Sequence, residues 1–116
     1  MKSGYTLVFG GPDFRPEDFL RSCPRLAALA DGERAEDSWL EFADIHDGTY
    51  PMDAATEALD FIRSYREEFM RLSHFAGVAT RALNFFGDAE SCSFELDPSD
   101  IALLHELSLC VSICPV

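Results

Sequence analysis

The sequence predicts an α+β fold, a two-layer sandwich in which a mixed sheet of about five strands packs on one long and two short helices. Segments rich in β-branched and aromatic residues alternate with helical segments in the chain order β-α-β-α-β-β-α-β. One helical segment carries a long apolar stripe that has to be buried against another layer. The length of 116 residues is typical of one domain, so we expect a single domain over 1–116.

The first predicted strand is followed by a short helix. Residues 5–9 are β-branched and aromatic and end at a Gly-Gly-Pro sequence, which is typical of a strand that enters a turn. Pro16, followed by two acidic residues, indicates the first turn of a helix, with Asp13 or the residues just before Pro16 as its cap. Pro24 ends this helix, and the mixed composition of residues 25–37 predicts a loop.

The second strand is predicted over residues 38–45, where alternate residues share a face. Leu40 and Phe42 fall on one face, and Trp39 and Ile45 fall on the other. Because both faces carry apolar residues, the pattern does not fix the register of this strand.

The strongest pattern in the chain is an apolar stripe between residues 53 and 75. Its members recur at steps of three and four residues, the period of an α-helix, and they are Ala55, Ala58, Leu59, Ile62, Tyr65, Phe69 and Leu72. The spacing predicts one continuous amphipathic helix of about 22 residues, roughly 33 Å long. Asp53 is suited to cap its N-terminus, and Gly77 is suited to follow its C-terminus.

Three further strands are predicted in the last third of the chain. Residues 79–86 and 92–96 are apolar or alternating segments on either side of a turn at 87–90, which predicts a hairpin. Residues 109–114 alternate apolar with small residues and end at Pro115, which predicts a last strand.

The last helix has a clear start signal. Asp97 is a favoured cap residue, Pro98 is suited to the first helical position, and Asp100 adds an acidic residue to the first turn. The spacing predicts a buried face formed by Ile101, Leu104 and Leu107.

Acidic residues dominate the charge of the chain. It has 21 Asp and Glu against 9 Lys and Arg, a formal net charge of −12. Such a surface repels phosphate backbones and anionic lipids, so we expect no nucleic acid and no membrane as a partner. We expect a basic protein instead, because complementary charge raises the rate of association. Residues 31–60 carry ten acidic residues and, among Lys and Arg, only Arg34.

The candidate partner-binding residues lie in this acidic stretch, where Trp39 and Tyr50 add side-chain types that are enriched at binding hot spots. The candidates are Asp31, Glu33, Glu36, Asp37, Trp39, Glu41, Asp44, Asp47 and Tyr50. For Trp39 alone, packing in the core is the more common role. The acidic residues are equally typical of a solvated surface that keeps a protein in solution.

Motifs for catalysis and metal binding are missing from the sequence. His46, His74 and His105 lack the spacing of a zinc site, and no phosphate-binding loop or serine-hydrolase motif is present. The four cysteines show neither metal-ligand nor disulfide spacing. We therefore expect a protein that is not an enzyme and holds no metal or cofactor. The alternative is a small ligand-binding or enzymatic domain in which His46 acts with Asp44 or Asp47.

The cytoplasm is the expected location. The sequence has no apolar run of membrane-spanning length and no signal peptide, and its unpatterned cysteines fit a reducing compartment. The sequence leaves open whether an edge strand at 109–114 pairs two copies in a homodimer.

Several of these segments together resemble a known family. They are the opening strand with its Pro-Glu-Asp helix, the Ser-Trp-Leu-Glu strand at 38–41, the long helix and, above all, residues 94–113 (FELDPSDIALLHELSLCVSI). Over residues 4–114 the chain resembles domain of unknown function 4279, a family of small bacterial proteins. The resemblance implies the fold, and it implies a binding role because some members resemble toxin-immunity proteins.

The combined hypothesis is a non-enzymatic, acidic binding protein. Its most specific form is an immunity-type protein that neutralises a cognate basic bacterial toxin domain by occlusion, through the acidic stretch at 31–60. A second alternative to it, beside the His46 domain, is an inhibitor that mimics the charge of nucleic acid.

Overall fold

The computed structural model describes residues 2–29, 38–47, 54–87 and 96–115. The predicted cap Asp53 and most of the strand predicted at 92–96 lie outside these residues. The described strands are β1 (Lys2–Gly10), β2 (Trp39–Asp47), β3 (Thr80–Gly87) and β4 (Cys110–Pro115). The described helices are α1 (Pro16–Ser22), α2 (Pro24–Ala27), α3 (Ala54–Ser64), α4 (Arg66–Ser73) and α5 (Pro98–Glu106). The α+β class is confirmed.

The four described strands form an open mixed sheet in the order β2-β1-β3-β4. β1 pairs antiparallel with both β2 and β3, whereas β4 runs parallel to β3. The parallel pair requires a long crossover, which contains α5. Because β1 and β4 occupy both sides of β3, the sheet leaves no free side of β3 for the hairpin that the sequence predicts with residues 92–96.

One face of the sheet, called the inner face, carries the hydrophobic core. Its buried strand residues are Tyr5, Leu7, Phe9, Leu40, Phe42, Leu83 and Phe85. The helices pack on this face, and the ring of Phe69 in α4 lies 6.0 Å from that of Phe9 and 5.3 Å from that of Phe42. Burial of each such ring stabilises the fold by roughly 1.5–3 kcal/mol. The alternation predicted for Leu40 and Phe42 is therefore confirmed.

The first helix begins at Pro16 as predicted. Its N-cap residue is Arg15, so the cap is the residue just before Pro16 and not Asp13, and the Arg15 side chain makes no cap hydrogen bond. Pro24 ends α1 and also starts α2, although the sequence predicts a loop from residue 25. The reason is local, since proline favours the first turn of a helix as much as it ends a preceding one. Residues 30–37 of the predicted loop lie outside the described residues.

The helix predicted over residues 53–75 is divided into α3 and α4. Tyr65 separates them with φ −125° and ψ 33°, which is not a helical conformation. Neither helix contains proline or glycine, so no helix-breaking residue causes the division. Contacts with distant elements flank this position: the guanidinium carbon of Arg25 lies 4.8 Å from the centre of the Tyr65 ring, and Arg66 donates hydrogen bonds to Glu106. The prediction of one continuous helix is wrong, because the apolar stripe continues across Tyr65 whereas the helical backbone does not.

The start of α5 is confirmed in atomic detail. The side chain of Asp97 accepts a hydrogen bond from the backbone N–H of Asp100 at 2.9 Å, and the Asp100 carboxylate accepts one from the backbone N–H of Asp97 at 3.0 Å. Pro98 occupies the first turn. This reciprocal capping box satisfies two backbone donors that the helix itself cannot pair.

The buried face of α5 differs from its prediction at one position. Leu104 and Leu107 are buried as expected, but Ile101 is 55% exposed and Leu103 is buried instead. Apolar residues occupy four successive positions at 101–104, so spacing alone does not identify which of them face the core.

Candidate partner-binding surface

Four of the nine predicted binding residues lie in the described part of the chain, all on strand β2. They are Trp39, Glu41, Asp44 and Asp47, and for Asp47 only the backbone is described. The other five, Asp31, Glu33, Glu36, Asp37 and Tyr50, lie outside the described residues. Strand β2 is an edge of the described sheet, so the candidate surface is built on a strand that pairs there on one side, with β1.

The pleat of β2 divides these residues between the two faces of the sheet. Asp44 pairs in register with Tyr5 and shares the inner face with Phe42. Trp39 and Glu41 belong to the opposite, outer face. The structure therefore brings Trp39 and Glu41 together and separates both from Asp44.

Trp39 lies across the backbone of the neighbouring strand. A Cβ atom built on Gly10, its register partner in β1, would lie 2.6 Å from Cδ2 of the indole, closer than any real contact. Gly10 thus provides the space in which the indole rests against β1. The residue is still 46% exposed, so the core role that is more common for a strand tryptophan is excluded here.

The outer face beside Trp39 is open and largely apolar. Ile45 is 38% exposed, Ala43 is exposed and Glu41 is half-buried. We call these three residues and Trp39 the outer β2 surface. Further into the sheet, the amide of Asn84 donates a hydrogen bond to the hydroxyl of Thr6 at 3.2 Å, so the polar groups there are paired with each other.

Several arginines of the helices form ion pairs. Nη1 of Arg25 lies 2.5 Å from Oε1 of Glu68, and Nη2 of Arg66 lies 2.6 Å from Oε1 of Glu106. Arg63 pairs with Asp100 across α3 and α5. These partners belong to other elements, and Arg63 has a second partner in the neighbouring turn of α3, where its Nη1 lies 3.8 Å from Oδ1 of Asp60. The pairs join the helices to one another and neutralise much of the positive charge of the helix layer.

The pKa values of Arg66 and Asp97, which lie near α5, are shifted in the directions that keep both side chains charged. A hydrogen bond to Glu106 raises the pKa of Arg66 further above neutrality. The hydroxyl of Ser99 donates a hydrogen bond that lowers the pKa of Asp97, and the backbone N–H of Asp100 adds to the effect. Both groups are therefore charged at neutral pH, where Arg66 binds Glu106 of α5 and Asp97 caps this helix.

The structure does not test a role for His46, because the side chain of this residue lies outside the described part. Among the side chains that are described, no three His, Cys, Asp or Glu residues come together as metal ligands would. Over the same residues, none of the helices has both the length and the apolar character needed to cross a bilayer.

Similarity to known proteins adds nothing to this geometry. Comparison with protein-family models, curated proteins and solved structures found no match. The resemblance to domain of unknown function 4279 therefore stays a prediction.

Sequence reasoning did not single out Ala43 and Ile45 as part of the surface. The signal was present, because the same alternation that assigns Leu40 and Phe42 to the core assigns Ala43 and Ile45 to the face of Trp39. The sequence does not indicate that the helices leave this face of the sheet uncovered.

Proposed function

We propose that the chain is a non-enzymatic protein that binds a basic protein partner through the outer β2 surface and the acidic segments adjoining it in sequence. In its most specific form, it is an immunity-type protein that occludes a cognate basic toxin domain in the bacterial cytoplasm. The observation that carries the proposal is the half-exposed Trp39, supported by Gly10 and flanked by Glu41 on an open sheet face.

Trp39 supplies contact area at a low entropic cost. Its indole already rests against β1, so a partner does not have to immobilise a freely rotating side chain. Covering its exposed half removes about 100 Å² from water, which is worth roughly 2–3 kcal/mol. Ile45 adds apolar area on the same face. A contact of this kind is typical of the centre of a binding hot spot.

The charge of the chain favours a basic partner. Residues 31–37, directly before β2, carry four of the acidic residues, and the whole chain has a net charge of −12. A field of this sign accelerates the encounter with a positively charged protein and slows the encounter with nucleic acid or anionic lipid. Salt screens the field, so the association rate of the proposed complex should fall as ionic strength rises.

The test begins with a basic protein captured on the immobilised chain at low salt, identified by mass spectrometry and purified. Its affinity is then measured by titration calorimetry with the wild type, with Trp39→Ala and with Glu41→Lys. We expect Trp39→Ala to weaken binding at least ten-fold, because the hot-spot contact is lost. Glu41→Lys should weaken binding mainly through slower association.

Two variants on the helix layer serve as matched controls. Ile101→Ala truncates an exposed apolar residue on α5, and Glu67→Lys makes the same charge reversal on the exposed side of α4. Both should bind within about two-fold of the wild type. An affinity for Trp39→Ala that equals the controls would contradict the proposal. Competition by duplex DNA would instead favour the nucleic-acid-mimicking inhibitor.

A further inference from the structure

The other edge of the described sheet, strand β4, differs from β2 in having no charged residue. In the described part of the chain β4 pairs only with β3, and its other side is open. Its residues 110–114 read Cys-Val-Ser-Ile-Cys. Edge strands are usually protected by charges that prevent pairing with another chain, and β4 lacks that protection apart from Pro115 at its end.

The order of these five residues is chemically symmetric about Ser112. A cysteine stands at each end, and a β-branched aliphatic residue, Val111 or Ile113, stands on each side of the central serine. In an antiparallel pair of two such strands related by a two-fold axis at Ser112, each residue faces one of its own kind. A partner of different sequence has no reason to match this symmetry, whereas a second copy of the chain matches it by construction.

The strand ends select this register from its alternatives. In a two-fold pair that keeps both helix layers on the same side of the sheet, an even-numbered residue has to lie opposite an even-numbered one, and an odd-numbered residue opposite an odd-numbered one. Centring on Ser112 pairs all of 110–114 and leaves out Pro115, which has no N–H to donate. Centring on Ile113 would include Pro115, and centring on Val111 would include Leu109, which precedes the strand.

Burial and charge also favour a second copy at this edge. Ile113 is 50% exposed on the inner face, and Val111 is half-buried there. The pairing places Ile113 opposite Val111 of the second copy, a favourable β-branched contact. Two chains of charge −12 repel each other, so they meet at least cost where the surface is uncharged, which holds for β4 and not for β2 with Glu41 and Asp44.

We infer that two copies of the chain pair through β4, antiparallel about a two-fold axis at Ser112, into a continuous sheet of eight described strands. The inference is independent of the basic partner. The dimer leaves both outer β2 surfaces at the far edges of the joined sheet, so each remains accessible.

The first test is the oligomeric state of the purified chain, measured by sedimentation velocity across a concentration series. We expect the wild type to dimerise reversibly. Ser112→Lys places two like charges directly opposite each other at the axis and should leave a monomer at concentrations where the wild type is dimeric. Ala43→Lys is the matched control, because it puts the same charge at an exposed position on the other edge strand, and it should dimerise like the wild type.

The second test reports the register. A chain with Cys23→Ser and Cys92→Ser keeps only Cys110 and Cys114, which the pairing places opposite each other in the two copies. Diamide removes two electrons and two protons from such a thiol pair to form a disulfide and is itself reduced to the hydrazine. We expect a covalent dimer on a non-reducing gel, and we expect its loss when either Cys110 or Cys114 is also changed to serine.

Three results would overturn the inference. A wild-type chain that stays monomeric over the whole series excludes the dimer. A dimer that persists in Ser112→Lys uses another surface. Cross-linking that survives with Cys110 alone or with Cys114 alone excludes the register centred on Ser112. Circular dichroism of each variant shows whether it remains folded, and if Ser112→Lys is unfolded, Ser112→Glu makes the same test with the opposite charge.

Discussion

Phe69 is the residue on which the aromatic core converges. Its ring centre lies 6.0 Å from that of Phe9, 5.3 Å from those of Phe42 and Phe61, and 6.5 Å from that of Tyr65. It thereby joins α4 to β1, to β2 and to α3. Its side chain is fully buried, so all of these contacts lie inside the core.

Replacement of this side chain should be severe. We expect Phe69→Ala to lower the free energy of unfolding by about 3–5 kcal/mol, because it removes a buried ring and leaves a cavity among four others. Denaturant titration followed by circular dichroism measures the change. The exposed Ile101 provides the control, since Ile101→Ala should change stability by no more than about 0.5 kcal/mol. Similar losses in both variants would show that Phe69 is not central to the core.

Single residues also show how far sequence alone can go. Alternation assigns Leu40 and Phe42 to one face of β2 correctly, because a strand has a strict period of two. It does not reveal that Trp39 is exposed, because a period describes which residues share a face and not what covers that face. The same gap explains Ile101, which continues an apolar run but faces solvent.

The capping box of α5 is an element-scale feature with a pH dependence. The hydrogen bond from Ser99 holds the pKa of Asp97 below its usual value of 3.8, so the folded state favours the carboxylate. The resulting stabilisation is complete above that value and is lost as the pH falls through the lower pKa of the folded state. The ionised cap therefore stabilises the protein at neutral pH and not in strong acid.

Removal of the Asp97 carboxylate should reveal this pH dependence of stability. Asp97→Ala should lower the melting temperature at pH 7 by a few degrees, and the difference from the wild type should shrink as the pH is lowered below 3.8. Asp97→Asn retains a cap acceptor without the charge and should lose less stability at pH 7. Thermal unfolding at a series of pH values measures both. A difference between Asp97→Ala and the wild type that stays constant down to pH 2 would rule out the charged cap as its cause.

The sequence predicts some features of the helices and not others. The start of α5 is predictable because Asp97, Pro98 and Asp100 interact within four residues of each other. The division between α3 and α4 is not predictable, because the apolar stripe continues through Tyr65 and no proline or glycine marks the break. Interactions between residues that are close in sequence can be predicted from it, whereas contacts between distant elements cannot.

Excess negative charge is a property of the whole molecule and should weaken its fold. The net charge of −12 is confined to a chain with a radius of gyration of 14.0 Å, so the carboxylates repel one another in the folded state. The exposed ion pairs of the helices offset little of this, because water and salt screen charges at the surface.

Added salt should therefore stabilise the protein. Raising NaCl from about 0.01 M to about 0.15 M shortens the Debye length from roughly 30 Å to roughly 8 Å, and we expect the melting temperature to rise. A variant with Glu17→Gln and Glu67→Gln carries less charge at two exposed positions and should show a smaller rise. A melting temperature that falls with salt would mean that the ion pairs outweigh the repulsion.

The position of β1 inside the sheet has a consequence for how the protein is made. β1 precedes the other described strands in the chain, yet it lies between β2 and β3, and Gly4 pairs with Phe86. About 80 residues separate these partners, and a ribosome that adds roughly 5–20 residues per second takes several seconds to make them. During synthesis one side of β1 therefore stays unpaired until β3 is made, and Tyr5 and Phe9 lack most of the residues that pack against them in the folded protein. The nascent chain should be a good substrate for chaperones that shield extended aromatic segments until β3 emerges.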